Sequence, residues 1–220
     1  MTLGWDGRAA LHVGLIHYVG PAGDNAAHRH AALQIVLSEG RIVAETGVFQ
    51  APLYIRPMAE HRLEPSARVE LFLIEPASKL GQRLLRDLPE SDIGDLAEHH
   101  VNSLRDIDRA PGDLPPALAN ALEYLSGEDA MQKTITDAAA LAGVSVSGLR
   151  ALSQRILGVN LSRWRLWQAL QDALAHLAAG ERAAYAAHAA GFSDQAHLTR
   201  SMKQTLGLTP GAVQQASAQI

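Results

Sequence analysis

The sequence predicts an α+β protein of more than one domain. It comprises a small N-terminal β-barrel or jelly roll, two following helices, and an all-α C-terminal domain with two helix-turn-helix units. Short apolar segments separated by turn residues fill residues 9–75, leucines recur at helical spacing after Pro76, and prolines cluster at 109–116. We therefore expect a barrel at 1–76, a helical packing or dimerisation segment at 77–109, a linker at 110–116 and the helix-turn-helix domain at 117–220.

The composition excludes several classes of protein. The chain has 220 residues, 47% of them hydrophobic, and no cysteine. This suits one large or two small globular domains and excludes a disulfide framework, a zinc finger and a cysteine nucleophile. No apolar run approaches the roughly 20 residues that span a bilayer, and Asp6 and Arg8 interrupt residues 1–20, unlike a signal peptide. We expect a soluble, cytoplasmic protein with no membrane partner.

The N-terminal strands are clearest at 11–18, 33–37, 41–44 and 69–74, which are rich in Val, Ile, Leu and Tyr. Segments of about 4 to 8 residues bounded by Gly, Pro and Asp are typical of antiparallel strands in a sandwich or barrel. Beyond Pro76 the apolar residues fall at three- and four-residue steps, namely Leu80, Leu84, Leu85 and Leu88, then Ile93, Leu96, Val101, Leu104 and Ile107. They predict two amphipathic helices that break near Pro89 and either cover the barrel or pair with a second subunit.

The C-terminal region alternates helices with tight turns. Thr134 and Asp137 resemble a capping box, the turn at 143–145 ends one helix and caps the next, and Ser162 can open a longer helix. Further turns at Gly158, Gly180 and 191–193 complete the pattern. Helix, tight turn, helix thus occurs twice, and the second helix of such a unit fits a DNA major groove about 12 Å wide.

Charge is unevenly spread along the chain. The formal net charge of −4 argues against nucleic acid only if it is uniform. Residues 1–132 hold 11 Lys and Arg against 19 Asp and Glu, a net of −8, whereas residues 133–220 hold 8 against 4, a net of +4. This asymmetry favours an acidic domain joined to a nucleic-acid-binding one.

The stretch 190–210 has a Gly191-Phe192 turn, Leu198 two positions before Arg200, a Lys three positions after that Arg, and a Gly-Leu-Thr-Pro ending. This pattern resembles the signature of the AraC/XylS family of bacterial transcription regulators. The resemblance covers about the last hundred residues. The chain departs from the family at Ser153, where a Phe is usual in the core of the first recognition helix.

The resemblance implies which residues touch DNA. Residue by residue, it picks Ser147, Gly148 and Arg150 in the first unit, and Gln195, Ala196, His197 and Arg200 in the second. The two arginines can bond guanine bidentately and Gln195 suits adenine, whereas four further side chains are candidates for phosphate contacts, namely Arg155, Arg163, Thr199 and Lys203.

The N-terminal half resembles the cupin-like sensor domain of the same family. The pattern is His28-x-His30, Gln34, two later glycines and His61. Metal-binding cupins place two histidines, a glutamate and a third histidine around one ion, and Gln34 stands where the glutamate would be. A divalent metal held by the three histidines stays open. The resemblance also implies an effector pocket formed by His28, His30, Gln34, Tyr54, Arg56 and His61.

These observations favour a one-component regulator that binds promoter DNA and responds to a small-molecule effector at the cupin-like domain. We expect a homodimer, with RNA polymerase as a further partner and no enzymatic activity. The alternatives are a metal-sensing regulator of the same architecture and a metal-dependent cupin enzyme with an attached helical module.

Overall fold

Two β-sheets form the N-terminal part of the protein. In the computed structural model, residues 5–104, 110–127, 130–215 and 217–218 are described. The strands are β1 (Arg8–His12), β2 (Leu15–Ala22), β3 (Leu33–Ser38), β4 (Arg41–Ala44), β5 (Gly47–Gln50), β6 (Leu53–Ile55), β7 (Arg62–Leu63), β8 (Ser66–Ile74), β9 (Ile93–Asp95) and β10 (Ser217–Ala218). The larger sheet has the order β10-β1-β2-β8-β3-β6-β9, and the smaller has the order β5-β4-β7. Strand β8 lies at the centre of the larger sheet, between β2 and β3.

The first predicted strand, at 11–18, is wrong as a single element. A hairpin replaces it, because β1 ends at His12 and β2 begins at Leu15. Gly14 in the turn has φ of 73°, a left-handed conformation that glycine adopts without steric cost. The apolar run continues through the turn, which is why the pattern of residue types alone does not reveal it.

Two helices follow β8, in agreement with the prediction, but the second is shorter. Helix α1 (Lys79–Asp87) begins after Ser78, whose side chain accepts a hydrogen bond from the Gly81 N–H. Residues 93–95, predicted as helix, form β9 instead, because their backbone pairs with β6 at the edge of the sheet. Helix α2 (Glu98–Ser103) comes next, and the predicted Ile107 lies outside the described residues.

The larger sheet is covered on both faces. Leu80, Leu84 and Leu88 of α1 pack on one face, which carries Leu33, Ile35, Tyr54, Phe72 and Ile74. The opposite face carries Tyr18, Val36 and Leu71 and shares a core with Ile42 and Leu63 of the smaller sheet. Helix α1 is therefore packed within the chain, and its pairing with a second subunit stays a prediction.

The segment predicted as a linker is held against α1 where it is described. The Lys79 N–H donates to the Ala110 carbonyl and the Gly112 N–H donates to the Ala77 carbonyl. A side chain at Gly112 would lie 2.5 Å from the Gln82 amide, so the backbone approaches α1 closely at this residue. Helix α3 begins directly afterwards, at Pro116.

Seven helices form the C-terminal part in the described residues. They are α3 (Pro116–Tyr124), α4 (Ile135–Leu141), α5 (Val146–Leu157), α6 (Leu161–Ala178), α7 (Ala183–Ala189), α8 (Gln195–Leu206) and α9 (Pro210–Gln215). The predicted caps at Thr134 and Ser145 are present, whereas α6 is capped by Asn160 and not by the predicted Ser162. Gly158 and Gly207 end α5 and α8 in the left-handed conformation.

Helix α6 forms the centre of the C-terminal core. Trp167 and Leu170 of α6 are buried with Leu149 of α5 and Leu198 of α8. Ser153, the position where the family usually has Phe, is fully buried, and its hydroxyl donates to the Val159 carbonyl at 2.6 Å. The hydroxyl therefore satisfies a backbone acceptor beyond the end of α5.

No single helix of the described segments is long and apolar enough to cross a membrane. Helices α4 and α5 meet the length and composition criteria only when taken together, and the angle between them is 93°.

We expect Ser153→Ala to lower the free energy of unfolding by about 1–2 kcal/mol, because it leaves the buried Val159 carbonyl without its donor. Ser162→Ala, an exposed position in the first turn of α6, should change it by less than about 0.5 kcal/mol. Urea denaturation followed by circular dichroism measures both values. Equal effects of the two substitutions would contradict the role given to the Ser153 hydroxyl.

Candidate functional site

The two predicted recognition helices are α5 and α8. Each follows a shorter helix across a tight turn, α4 in the first unit and α7 in the second. The turns contain Gly143 and Gly191, with φ of 67° and 78°. Both units thus have the helix, turn, helix order that presents the N-terminal end of the second helix to a major groove.

In the first unit, the predicted residues lie at the N-terminal end of α5. Ser147 and Arg150 are exposed, and the Gly148 N–H donates to the Ser145 cap at 3.0 Å. Arg163, at the start of α6, is also exposed. Arg155 lies elsewhere, in a polar cleft of about 700 Å³ that α5 forms with α1 and residues 113–115.

In the second unit, Gln195, Ala196 and Arg200 are exposed, as is Lys203 one turn further on. His197 is half-buried, and its Nδ1 accepts hydrogen bonds from the Ser193 N–H and hydroxyl. In the neutral ring the proton is therefore on Nε2, which can donate to a base or a phosphate. Thr199 donates its hydroxyl to the Gln195 carbonyl at 2.8 Å, so part of its capacity is used within the helix.

A buried carboxylate joins the two parts of the protein. Glu75, the residue after β8, accepts hydrogen bonds from Trp164 Nε1 at 2.5 Å, Gln168 Nε2 at 2.7 Å and Gln171 Nε2 at 3.4 Å. All three donors lie on α6. Burial raises the pKa of the Glu75 carboxyl, and the donated hydrogen bonds offset this only in part.

A second contact joins the loop before β3 to the end of α8. The Ala26 N–H donates to the Gly207 carbonyl at 3.2 Å. A Cβ at Gly207 would lie 2.6 Å from the Ala26 carbonyl oxygen and 2.8 Å from Nδ1 of His28, so no other residue fits there without a shift. On α6, the Trp167 ring lies 5.6 Å from the ring of His30. The loop that carries His28 and His30 is therefore in direct contact with the helix-turn-helix domain.

The three predicted histidines are brought together. His28, His30 and His61 are buried, and their candidate ligand atoms lie within 4.8 Å of one another. Each ring places Nδ1 against a backbone carbonyl, at 2.8 Å for His28 and 3.0 Å for the other two. A carbonyl can only accept, so Nδ1 carries the proton in each ring and Nε2 presents a lone pair.

Burial keeps these rings neutral. It lowers the pKa of His28 to about 4, with the neighbouring His30 adding to the effect. Burial also lowers the pKa of His30 and, together with the two other rings, that of His61. The end of the Gln34 amide lies 2.8 Å from Nε2 of His30 and 3.1 Å from Nε2 of His61. Since two lone pairs face this group, we assign it as the amide nitrogen, which donates to both rings.

This donor set fits a divalent transition-metal ion. Neutral imidazoles whose Nδ1–H groups bond backbone carbonyls are the usual form of metal-ligating histidine. Three histidines would hold the ion through Nε2, provided that Gln34 releases the two rings it bonds. The ion would supply Lewis acidity and a fixed positive charge in an otherwise neutral cluster.

A cavity of about 130 Å³ lies beside the histidines, between the larger sheet and the helix-turn-helix domain. Its described lining comes from both parts of the protein. The N-terminal part contributes Trp5, Ala9, Leu11, Ile16, Tyr18, Asn25, His28, His30, Gln34, Leu63, Leu71 and Leu73, and the helical domain contributes Leu174, Ala178, Leu206, Leu208, Ala212 and Val213.

The other predicted effector residues lie apart from this cavity. The Tyr54 hydroxyl pairs with Ser91 at 2.7 Å, and the Arg56 guanidinium donates to carbonyls at the end of α1, including that of Leu85 at 3.2 Å. His61 contacts the other histidines but is not among the lining residues. Sequence reasoning missed Glu75 and the six helical lining residues, because their partners are distant in the chain and only the packing of the two parts reveals them.

Comparison with known proteins agrees with this geometry. A family model described as a helix-turn-helix domain matches residues 138–216. Among curated proteins, none matches the chain. An apo variant of ToxT from Vibrio cholerae has a TM-score of 0.59 at 11% identity, over 92% of this chain and 97% of its own.

Two further solved structures are similar. Wild-type ToxT from Vibrio cholerae with a bound unsaturated fatty acid has a TM-score of 0.54 at 10% identity, over 91% of this chain and 94% of its own. A transcriptional regulator of the AraC-type DNA-binding domain-containing proteins from Chromobacterium violaceum has a TM-score of 0.42 at 24% identity, over 45% of this chain and 89% of its own.

The chain is thus a two-part DNA-binding regulator, with a β-rich N-terminal region and a helix-turn-helix domain that binds double-stranded DNA. The helix-turn-helix domain at 138–216 is of the AraC type, in agreement with the signature predicted at 190–210. These matches are to a helix-turn-helix domain and to transcriptional regulators of the AraC type, and not to an enzyme.

We expect the stability of the wild-type protein to fall, relative to that of Glu75→Gln, as pH rises from about 4.5 towards 7. The folded pKa of Glu75 lies above its ordinary value of 4.5, so the folded state binds this proton more tightly and loses that advantage as pH rises through the folded pKa. Unfolding free energies of the two proteins at several pH values measure the difference. The exposed Glu123→Gln is the charge-matched control, and a wild-type advantage that grows with pH would contradict the assignment.

Proposed function

We propose that this protein regulates transcription by sequence-specific binding to promoter DNA, and that a small molecule in the N-terminal region controls this binding. The observation that supports the control is the cavity, whose wall is shared by the sheet and the helix-turn-helix domain. A ligand there contacts both parts at once. Its binding free energy therefore depends on how the two parts are arranged, which is the condition for coupling between sites.

In this proposal, three residues in the N-terminal halves of the recognition helices form hydrogen bonds with base edges, namely Arg150, Gln195 and Arg200. Four other residues at the same ends complete the surface, namely Ser147, Gly148, Ala196 and His197. Three residues hold phosphate oxygens, namely Arg163, Thr199 and Lys203, and Arg155 joins them only if the cleft that it lines opens. A homodimer on paired half-sites would add the affinity that a region with a net charge of only +4 lacks.

The small-molecule signal has support from the fold. ToxT, whose architecture the chain shares over most of its length, is known with an unsaturated fatty acid bound. In the present chain, the cavity lies against β1, β2 and β8, and α6, α8 and α9 line its other side. The signal would thus reach the second recognition helix through direct contact.

We expect Arg200→Ala to weaken binding to a preferred site by about 1–3 kcal/mol and to relax the base preference at one position, because a bidentate contact to guanine is lost. Selection from a random duplex library with the full-length protein supplies the site, and fluorescence anisotropy measures the affinity. Lys203→Ala should weaken binding to all sequences alike and reduce the salt dependence.

Arg68→Ala is the control for this experiment, since it removes the same charge from an exposed position of β8. It should leave DNA affinity within about twofold of wild type. If the library yields no enriched sequence, or if Arg68→Ala weakens binding as much as Arg200→Ala does, the assignment of the recognition surface is wrong.

A second candidate function is the sensing of a divalent metal, which the convergence of His28, His30 and His61 favours. In this version, the ion would draw the three Nε2 atoms together and release Gln34. Because His28 touches Gly207 and His30 touches Trp167, the ion would act on the same helices as a small molecule.

We expect this second candidate to give one equivalent of Zn²⁺, Ni²⁺ or Co²⁺ per chain after equilibrium dialysis, with loss of the metal in His30→Ala. Elemental analysis of the dialysed protein measures the ratio. The exposed His188→Ala should retain the metal, and DNA affinity with and without it shows whether the ion is a signal. Substoichiometric metal in the wild-type protein would dispose of the metal-sensing candidate.

A further inference from the structure

The cavity between the sheet and the helix-turn-helix domain carries no formal charge. None of the described residues that line it is Lys, Arg, Asp or Glu, and most are Leu, Ala, Ile or Val. The two lining histidines are buried, and no carboxylate among the described lining residues lies beside them to stabilise an imidazolium ring. A carboxylate or ammonium group that entered would lose hydration without gaining an ionic partner from this lining.

The size of the cavity limits the ligand. A volume of about 130 Å³ is slightly smaller than an apolar cavity of about 150 Å³ that accepts benzene. Because the cavity is only partly enclosed, it suits a molecule of the size of benzene or slightly larger, of roughly six to nine non-hydrogen atoms, such as a one-ring or compact two-ring compound. A long acyl chain exceeds it.

Among the polar side chains of the lining, Tyr18 and Asn25 are already bonded, whereas His28 and the second end of the Gln34 amide remain for a hydrogen bond to a ligand. The Tyr18 hydroxyl donates to the Pro21 carbonyl at 2.6 Å and accepts from the Gly7 N–H at 3.1 Å. Asn25 is bonded in both directions to the Leu63 backbone. His28 differs, because its Nδ1 is bonded to Ala26 while Nε2 has no hydrogen-bond partner among the described residues. An unprotonated Nε2 accepts a hydrogen bond, so the complementary ligand carries an O–H or N–H donor.

We propose that the cavity binds a small, uncharged, mainly aromatic or aliphatic molecule of about six to nine non-hydrogen atoms with one hydrogen-bond donor directed at His28. This inference rests on the proposed function, in which the N-terminal region receives a small-molecule signal, and it specifies the chemical class of that signal. Phenols, indoles and compact alcohols belong to the class. Fatty acids, amino acids and phosphorylated compounds do not.

The wall of the cavity also indicates what the ligand does. Leu174 and Ala178 belong to α6, Leu206 ends α8, and Val213 lies on α9. A molecule in contact with these residues and with Leu71 and Leu73 of β8 stabilises the docked arrangement of the two parts. Its binding therefore shifts the DNA affinity of the full chain, upward or downward according to which arrangement binds DNA.

The test compares matched ligands on the full-length protein by isothermal titration calorimetry at pH 7. Phenol is paired with benzoate and benzylamine, indole is paired with indole-3-carboxylate, and decanoate represents a longer acyl chain. We expect phenol or indole to bind at least tenfold more tightly than their charged counterparts and than decanoate. Equal or tighter binding of benzoate, benzylamine, indole-3-carboxylate or decanoate would overturn the proposed class.

Cavity-filling variants locate the site. Ala178→Leu places three additional carbons in the cavity wall and should weaken phenol or indole binding at least tenfold, whereas Ala175→Leu makes the same change at an exposed position of α6 and should not. Leu73→Phe fills the cavity from the side of the sheet. Because it lies on the opposite wall, it tests the site independently of any folding defect that Ala178→Leu causes. Unchanged affinity in both filling variants would place the ligand elsewhere and overturn the inference.

DNA binding by the same preparations separates this inference from the proposed function. If the wild-type protein selects a DNA sequence but none of the compounds binds, the inference on the ligand class is wrong and the DNA-binding proposal stands. If phenol or indole binds as expected but no DNA sequence is selected, the ligand class holds and the proposed regulatory function fails.

Discussion

The hydrogen bonds to the buried Glu75 carboxylate are the interaction on which the arrangement of the two halves depends. A carboxylate without a cation is expensive to bury, and it is tolerated here because Trp164 and Gln168 of one helix direct N–H groups at it. The same helix, α6, joins the two helix-turn-helix units and forms the centre of their core. Whatever holds α6 to the end of β8 therefore sets the position of both recognition helices relative to the sheet.

This constraint explains why the cavity, the histidines and the second recognition helix form one site. Docking α6 on Glu75 places Trp167 over His30 and Leu174 and Ala178 against the sheet. The C-terminal end of α8 then meets the loop that carries His28. In the proposed function, a signal received by the sheet would reach α6 and α8 without crossing an intervening layer. This distinguishes the arrangement from one in which a flexible linker alone connects the two domains.

Much of the architecture could be predicted from the sequence, because it depends on local signals. The Gly turns, the Thr134 and Ser145 caps and the alanine-rich first helices specify the helix-turn-helix units over short distances. The hairpin at Gly14 and strand β9 were not predicted, since one apolar run spans the hairpin and Ile93 pairs with a strand almost forty residues earlier.

The candidate site could be predicted only in part. The convergence of His28, His30 and His61 followed from the family pattern, whereas Tyr54 and Arg56 lie at the end of α1 because their polar groups bond to residues 85–91. The helical wall of the cavity has no signature in sequence, because it arises only when two separately patterned halves dock.

Gly207 fixes one end of the second recognition helix, α8, so that a small rotation about this end moves the opposite end much further. Its backbone is clamped against the loop of His28 at one end of α8, while the residues proposed to face DNA lie at the other end. Twelve residues of helix are about 18 Å long, so a 10° tilt about the clamped end displaces the far end by roughly 3 Å. That distance is comparable to the length of one hydrogen bond. An adjustment of the loop too small to disturb its own packing can therefore bring a row of base contacts into register or take it out of register.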